Sequence, residues 1–144
     1  MSVKDFVQQR RDALIAMRRD FHMYPEPAWL EYRSAAKVAD TLISLGYDVA
    51  LGADVLDLDS RMGLPSDEVM KAAMDRAIKE GANPELVEKM GYGKTAIVAT
   101  MKFGGEGPVV AFRVDMDSND VIEAKEDNHV PAKGGFRSCH DKAM

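Results

Sequence analysis

The chain has 144 residues, 30% of them charged and 46% hydrophobic, and a net charge of −5. That is enough chain to bury a sizeable core, and its acidic balance leaves no basic stripe to neutralise nucleic-acid phosphates. A single cysteine excludes an internal disulfide, and no apolar stretch approaches the roughly 18 residues of a membrane helix, so the composition reads as a cytoplasmic α/β protein with neither nucleic acid nor membrane as partner.

In chain order, Val3, Phe6, Val7, Leu14, Met17 and Phe21 fall near the three-and-four spacing of one helical face. This predicts a helix from Val3 to about His22, ended by Pro25 and Pro27. A second helix is expected from about Glu31 to Leu45, with Gly46 as its left-handed cap. Tyr47 to Leu51 alternates as a strand does, and 54–61 reads as a loop or a weak edge. A helical insertion spans about 60–91: Ser66 caps a helix reaching about Ile78, and Asn83-Pro84 opens a shorter one to about Met90. Thr95 to Phe103 is rich in β-branched residues and predicts a strand. The turn Gly104-Gly105-Glu106-Gly107 leads from it into Pro108–Asp117, an almost continuous apolar run that reads as a strand buried on both faces. The two runs would form an antiparallel hairpin. Residues 118–144 are polar and lack a clear period, and no linker divides the chain.

The apolar run stops at Asp115 and Asp117, two residues apart and so on one face of a continuing strand. Four readings fit this pair. They are turn-forming aspartates, a phosphoryl-transfer Asp-x-Asp, carboxylates for magnesium or manganese, or groups that orient a metal ligand through a hydrogen bond. The phosphoryl-transfer reading wants the strand early in the chain, which this one is not. His22, Tyr24 and Glu26 read as helix-end packing and capping. His129, Cys139 and His140, with Glu126 and Asp141 nearby, read as polar residues of the surface. Met62, Met70, Met74, Met90 and Met101 read as core filler. The glycine turn at 104–107 lacks the strand-to-helix setting of a phosphate loop.

Several stretches in order resemble the zinc- or manganese-dependent amidohydrolase and aminoacylase family of metallopeptidases. Arg18-Arg19-Asp20-Phe21-His22 with Pro25-Glu26 and Glu31 is similar to its opening signature, and Ala111-Phe112-Arg113-Val114-Asp115-Met116-Asp117 to its Asp-Met-Asp strand. Ser60-Arg61-Met62-Gly63-Leu64-Pro65, Phe136-Arg137-Ser138-Cys139 and Ala143-Met144 resemble the branch that hydrolyses p-aminobenzoyl-glutamate.

The resemblance implies a binuclear site for a divalent metal (Zn or Mn), small-molecule N-acyl amino acid substrates, a smaller lid domain that mediates dimerisation, and assembly as a homo- or hetero-oligomer. It makes residues 1–144 a partial catalytic domain without the lid. Asp117 matches the aspartate that orients the metal site, and Asp115 stands where sister branches carry a ligand histidine. The main ligands are expected after Met144, in a His-Ala-Cys-Gly-His-Asp-Gly-His segment, so Cys139 is not the ligand cysteine. Two carboxylates without those partners would hold a metal feebly, and the chain alone is expected to be inert. It is also expected to self-associate, or to fold its tail differently, because a cut sheet leaves open edges. The alternative is a non-catalytic assembly module that pairs with a hydrolase subunit.

Overall fold

A computed structural model describes residues 2–140. The resemblance at Ala143-Met144, Asp141 of the tail cluster and the Met144 boundary therefore lie outside the described residues. The chain forms two compact units, one from Met1–Pro25 with Ser118–Met144 and one from Glu26–Asp117.

In the first of these, the terminal unit, Ser2 opens helix α1 (Val3–Gln9) with a capping box: its hydroxyl accepts from the Asp5 N–H while the Asp5 carboxylate takes the Ser2 N–H. The expected single helix is broken once, at Arg10, where φ −100° and ψ 5° leave the helical region before α2 (Arg11–Met23) begins. The Arg10 guanidinium lies 4.4 Å over the Phe6 ring, an attraction across the break. The apolar face read from the sequence is present but open, with Val3, Phe6, Val7, Leu14 and Met17 at 46–80% exposure. A short helix α3 (Val130–Lys133) is the one regular element described beyond residue 117.

The central unit carries the core. Helix α4 (Tyr32–Ser44) ends at Leu45, and Gly46 follows at φ +86°, where the Gly46 and Tyr47 N–H groups close onto Ile43 and Leu42 carbonyls. Strand β1 (Asp48–Leu51) comes next. Helix α5 (Asp67–Lys79) is capped by Ser66, whose hydroxyl accepts from Val69 N–H, and α6 (Pro84–Met90) by Asn83, which accepts from Glu85 N–H at 3.1 Å. The helical insertion thus forms as its capping residues predict. Ala35, Ala36 and Ala39 of α4 are small enough for close approach, and Ala73 and Ala77 of α5 with Val87 and Met90 of α6 share one buried cluster with them, Tyr32 and Leu51.

The fold class is α/β, with one two-stranded antiparallel sheet among the described residues. Its partners differ from the expected hairpin. β2 (Ile97–Thr100) pairs with β1, in register from Asp48 opposite Thr100 to Leu51 opposite Ile97. Residues 101–129 contain neither helix nor strand. The run 108–117 is therefore not a buried strand here: Val109 is 97% and Phe112 89% exposed. A run apolar on both faces needs a layer on each side. The central unit has one helical layer, already engaged with β1 and β2.

Candidate functional site

The carboxylates at the end of the apolar run separate in character. Asp115 is exposed and ion-paired with Arg113, Nη2 to Oδ1 at 2.7 Å. Both side chains are more than half exposed, so this pair adds little to stability. Met116 packs against the core and anchors the run at this point. Asp117, itself exposed, comes close enough to Glu31 for its charge to be felt there. Burial raises the Glu31 carboxyl above its ordinary range, the Thr95 hydroxyl donating at 2.8 Å pulls it back, and Asp117 pushes it up further. The structure thus brings Asp117 together with Glu31 and leaves Asp115 apart.

Glu26 has a different task. One carboxylate oxygen accepts from the Arg33 N–H at 2.9 Å and the other from the Ser34 N–H at 2.8 Å. These are two of the open donors in the first turn of α4, so Glu26 caps the helix that follows it rather than the one before. The side chain is 1% exposed, and burial raises its carboxyl above the usual range against the hydrogen bonds and the Arg76 charge. Nearby, Tyr32 Oη accepts from Gly93 N–H at 2.9 Å, while Arg61 Nη1 reaches the carbonyls of Tyr92 and Gly93. Trp29 holds φ +68° and donates from Nε1 to the Met62 carbonyl at 3.1 Å. A bulky residue in that conformation is a local strain that its partners must hold.

In the terminal unit, Glu123 gathers side chains whose sequence positions suggest only helix-end or surface roles. His22 Nε2 lies 2.9 Å and His129 Nε2 3.0 Å from Glu123 Oε1, and the Ser138 N–H donates to Oε2 at 2.5 Å. Burial alone would raise the Glu123 carboxyl, but these bonds together outweigh it and hold the group below its usual range. His22 also meets the Phe136 ring edge-on at 5.6 Å, and the Arg19 guanidinium covers that ring at 4.7 Å. An open groove of about 530 Å³ runs beside them, lined by Leu14, Ile15, Arg18 and Pro131 among others. The Cys139 N–H donates to the Met23 carbonyl, and its thiol is exposed and free. No motif or spacing marks Glu123 in the sequence; its partners sit 101 positions back and 6 positions on.

The metal site that the resemblance implies finds no ready donor set in these groups. The Nε2 atoms of His22 and His129 are both spent on one Glu123 oxygen, Asp115 is taken by Arg113, and Asp117 is close enough to Glu31 for its charge to be felt there. Among the described residues, no three His, Cys, Asp or Glu side chains converge as metal ligands. The residues present do not fit a binuclear centre by themselves.

No protein-family profile matches the chain. Individual proteins do. It is 43% identical over 143 residues to a p-aminobenzoyl-glutamate hydrolase subunit of Escherichia coli, covering 99% of this chain and 33% of that one. It is 42% identical over 142 residues to indole-3-acetyl-aspartic acid hydrolase of Enterobacter agglomerans, with the same two coverages. A crystal structure of an aminobenzoyl-glutamate utilization protein from Klebsiella pneumoniae superposes with a TM-score of 0.79 at 45% identity, over 83% of this chain and 30% of that one. The chain spans about a third of the length of the curated relatives it matches.

Proposed function

We propose, from a similarity to aminobenzoyl-glutamate hydrolases that runs over 99% of this chain, that it is the N-terminal part of the catalytic domain of a metal-dependent amidohydrolase. The observation that supports this is the pairing of the two coverages: almost all of this chain matches a third of each hydrolase. In this reading residues 1–144 build the scaffold beside the site, and the metal ligands and the lid domain come from the remaining two-thirds. Asp117, next to Glu31, is the residue of this chain that positions the site, and Asp115 is secondary.

The two relatives' names narrow the substrate class. Indole-3-acetyl-aspartate and p-aminobenzoyl-glutamate are both amides that join an aromatic acyl group to an acidic amino acid. The proposed reaction is hydrolysis of such an amide, releasing the aromatic acid and the free amino acid. In this reading the 144-residue chain is inert alone, because the metal ligands come from the remaining two-thirds.

Release of glutamate from p-aminobenzoyl-glutamate tests this, with the chain assayed alone and then joined to the unmatched two-thirds of the Escherichia coli protein, zinc or manganese supplied in both cases. The expected result is no turnover alone, and turnover in the joined protein that falls at least tenfold in Asp117→Asn. Turnover by the chain alone, or a joined, folded protein that hydrolyses no such amide, rejects the reading. A second reading, a non-catalytic assembly module, is favoured by one observation, the exposed apolar run at 109–114.

A further inference from the structure

The Arg18-Arg19 pair and His22 open the matched sequence, yet the proposed reaction uses none of them, and the fold gives them a surface of their own. Ile15, Arg18, Arg19 and His22 stand at i, i+3, i+4 and i+7 of α2, hence on one face of that helix. This face forms part of the open groove of about 530 Å³ in the terminal unit, and Val130, Pro131 and Phe136 complete it. Pro131 is buried, Phe136 is half-buried and Val130, at the rim, is 71% exposed. The lining is therefore apolar apart from its bases, and no acidic side chain belongs to it among the described residues.

The charges of the groove do not balance. Glu123 is engaged by His22, His129 and the Ser138 N–H. Arg19 is held over the Phe136 ring at 4.7 Å, and Arg18 is exposed with no carboxylate paired to it among the described residues. Two guanidinium groups thus bring positive charge to an apolar surface, and the fork of such a group matches the two oxygens of a carboxylate.

We propose that this groove binds a small aromatic carboxylate, with its ring on Ile15, Val130, Pro131 and Phe136 and its carboxylate at Arg18. Size selects a small molecule: the volume is that of a ligand site, and eight lining residues fall well short of the 20–30 that each side of a protein–protein interface supplies. Charge selects an anion. Phosphate is disfavoured because the α2 residues of the groove lie inside the helix, where their N–H groups are already used, so no backbone donors converge as they do in phosphate sites. Shape selects a ring, since an open groove holds a rigid, flat body at less entropic cost than a flexible acyl chain. The inference goes beyond amide hydrolysis and shares no residue with Asp117 or Glu31, so either can fail without the other.

Saturation-transfer NMR on a dilute solution of the 144-residue chain tests it, with indole-3-acetate as the probe. Its ring protons should receive saturation with half-maximal effect at about 1 mM, the affinity of a molecule of this size at ordinary ligand efficiency. Indole-3-acetamide, the same ring without the charge, should bind at least fivefold more weakly. Arg18→Gln should bring the acid down to the level of the amide and leave the amide unchanged. Val130→Asp places a carboxylate at the rim and should weaken the acid at least fivefold. Both positions are exposed, so the helical circular dichroism of each variant should match the parent. No saturation up to 10 mM, or equal binding of acid and amide by the parent, would overturn the proposal. So would a preference for the acid that survives both variants, because the anion would then sit elsewhere. Displacement of indole-3-acetate by an equal concentration of inorganic phosphate would also overturn it, by showing an anion site in which the apolar lining has no part.

Discussion

Glu26 and Glu123 show how one residue type is put to opposite uses. Glu26 is buried over the first turn of α4, where its two oxygens serve two backbone donors, and burial raises its carboxyl. Removing both acceptors with Glu26→Ala strands two buried N–H groups and should cost about 2 kcal/mol in a urea unfolding series. The pH dependence follows from the direction of each shift. A carboxyl raised on folding favours the folded state most fully below the unfolded value of about 4.3, and that contribution is lost as pH rises through the folded value. Glu123 is lowered, so its contribution is present above the unfolded value and lost as pH falls through the folded one. Glu123→Gln should therefore shrink the loss of stability on acidification, and Glu26→Ala should remove a loss on the alkaline side. If both variants parallel the parent from pH 3 to 7, neither carboxylate is linked to folding as described. Of these two residues, Glu26 is legible in the sequence as a helix-end group, although the helix it caps is the following one. Glu123 is not legible, because a long-range hydrogen bond leaves no periodic trace in sequence.

At the scale of elements, what the sequence reveals follows local chemistry. Ser66, Asn83-Pro84 and Gly46 each fix a helix end by their own side chain or backbone freedom, and all three ends fall where those residues place them. The break at Arg10 leaves no mark because the apolar period continues through it. The strand expected at 108–117 fails for a different reason: a two-faced apolar run describes the surroundings a strand needs, and the described residues do not furnish them. The turn at Gly93 permits a sharper statement. It sits at φ +61°, with its N–H held by Tyr32, and an added Cβ would come within 2.6 Å of Leu64 Cδ2 and 3.3 Å of Met70 Sδ. Gly93→Ala should lower stability by about 1–3 kcal/mol through strain and overpacking. Gly63→Ala makes a fair control, having a similar φ of +70° and nothing near its Cβ. It should cost about 1 kcal/mol, the conformational part alone, and equal melting temperatures for the two variants would contradict the crowding at Gly93.

For the whole molecule, the balance of buried and bare surface is the governing fact. Apolar burial is concentrated in the central unit around α4, α5, α6 and β1, while the faces of α1 and α2 and the run at 109–114 remain in water. Such surface drives association that has no natural stopping point, because each contact leaves further apolar area uncovered. Light scattering of the isolated chain should therefore grow with concentration without settling at a fixed oligomer, and Phe112→Asp should reduce it at least twofold. A monomer at every concentration would show that these faces are not adhesive. The fold class and the family resemblance are readable end to end because matched motifs are spread along the chain. Of the proposed centre only Asp117 is legible in the sequence, by resemblance, and among the described residues no three His, Cys, Asp or Glu side chains converge as metal ligands.

The strained turn at Trp29 has an optical consequence. This is the sole tryptophan of the chain, and its indole N–H is tied to the Met62 carbonyl across 33 positions. Excited at the red edge of the near ultraviolet, the protein emits from one spot, so its emission wavelength becomes a gauge of that single tether. If the 60–65 segment lifts away while α4 stays folded, the spectrum will shift before the helical circular dichroism falls, and the lag between the two signals will measure how independently that segment moves.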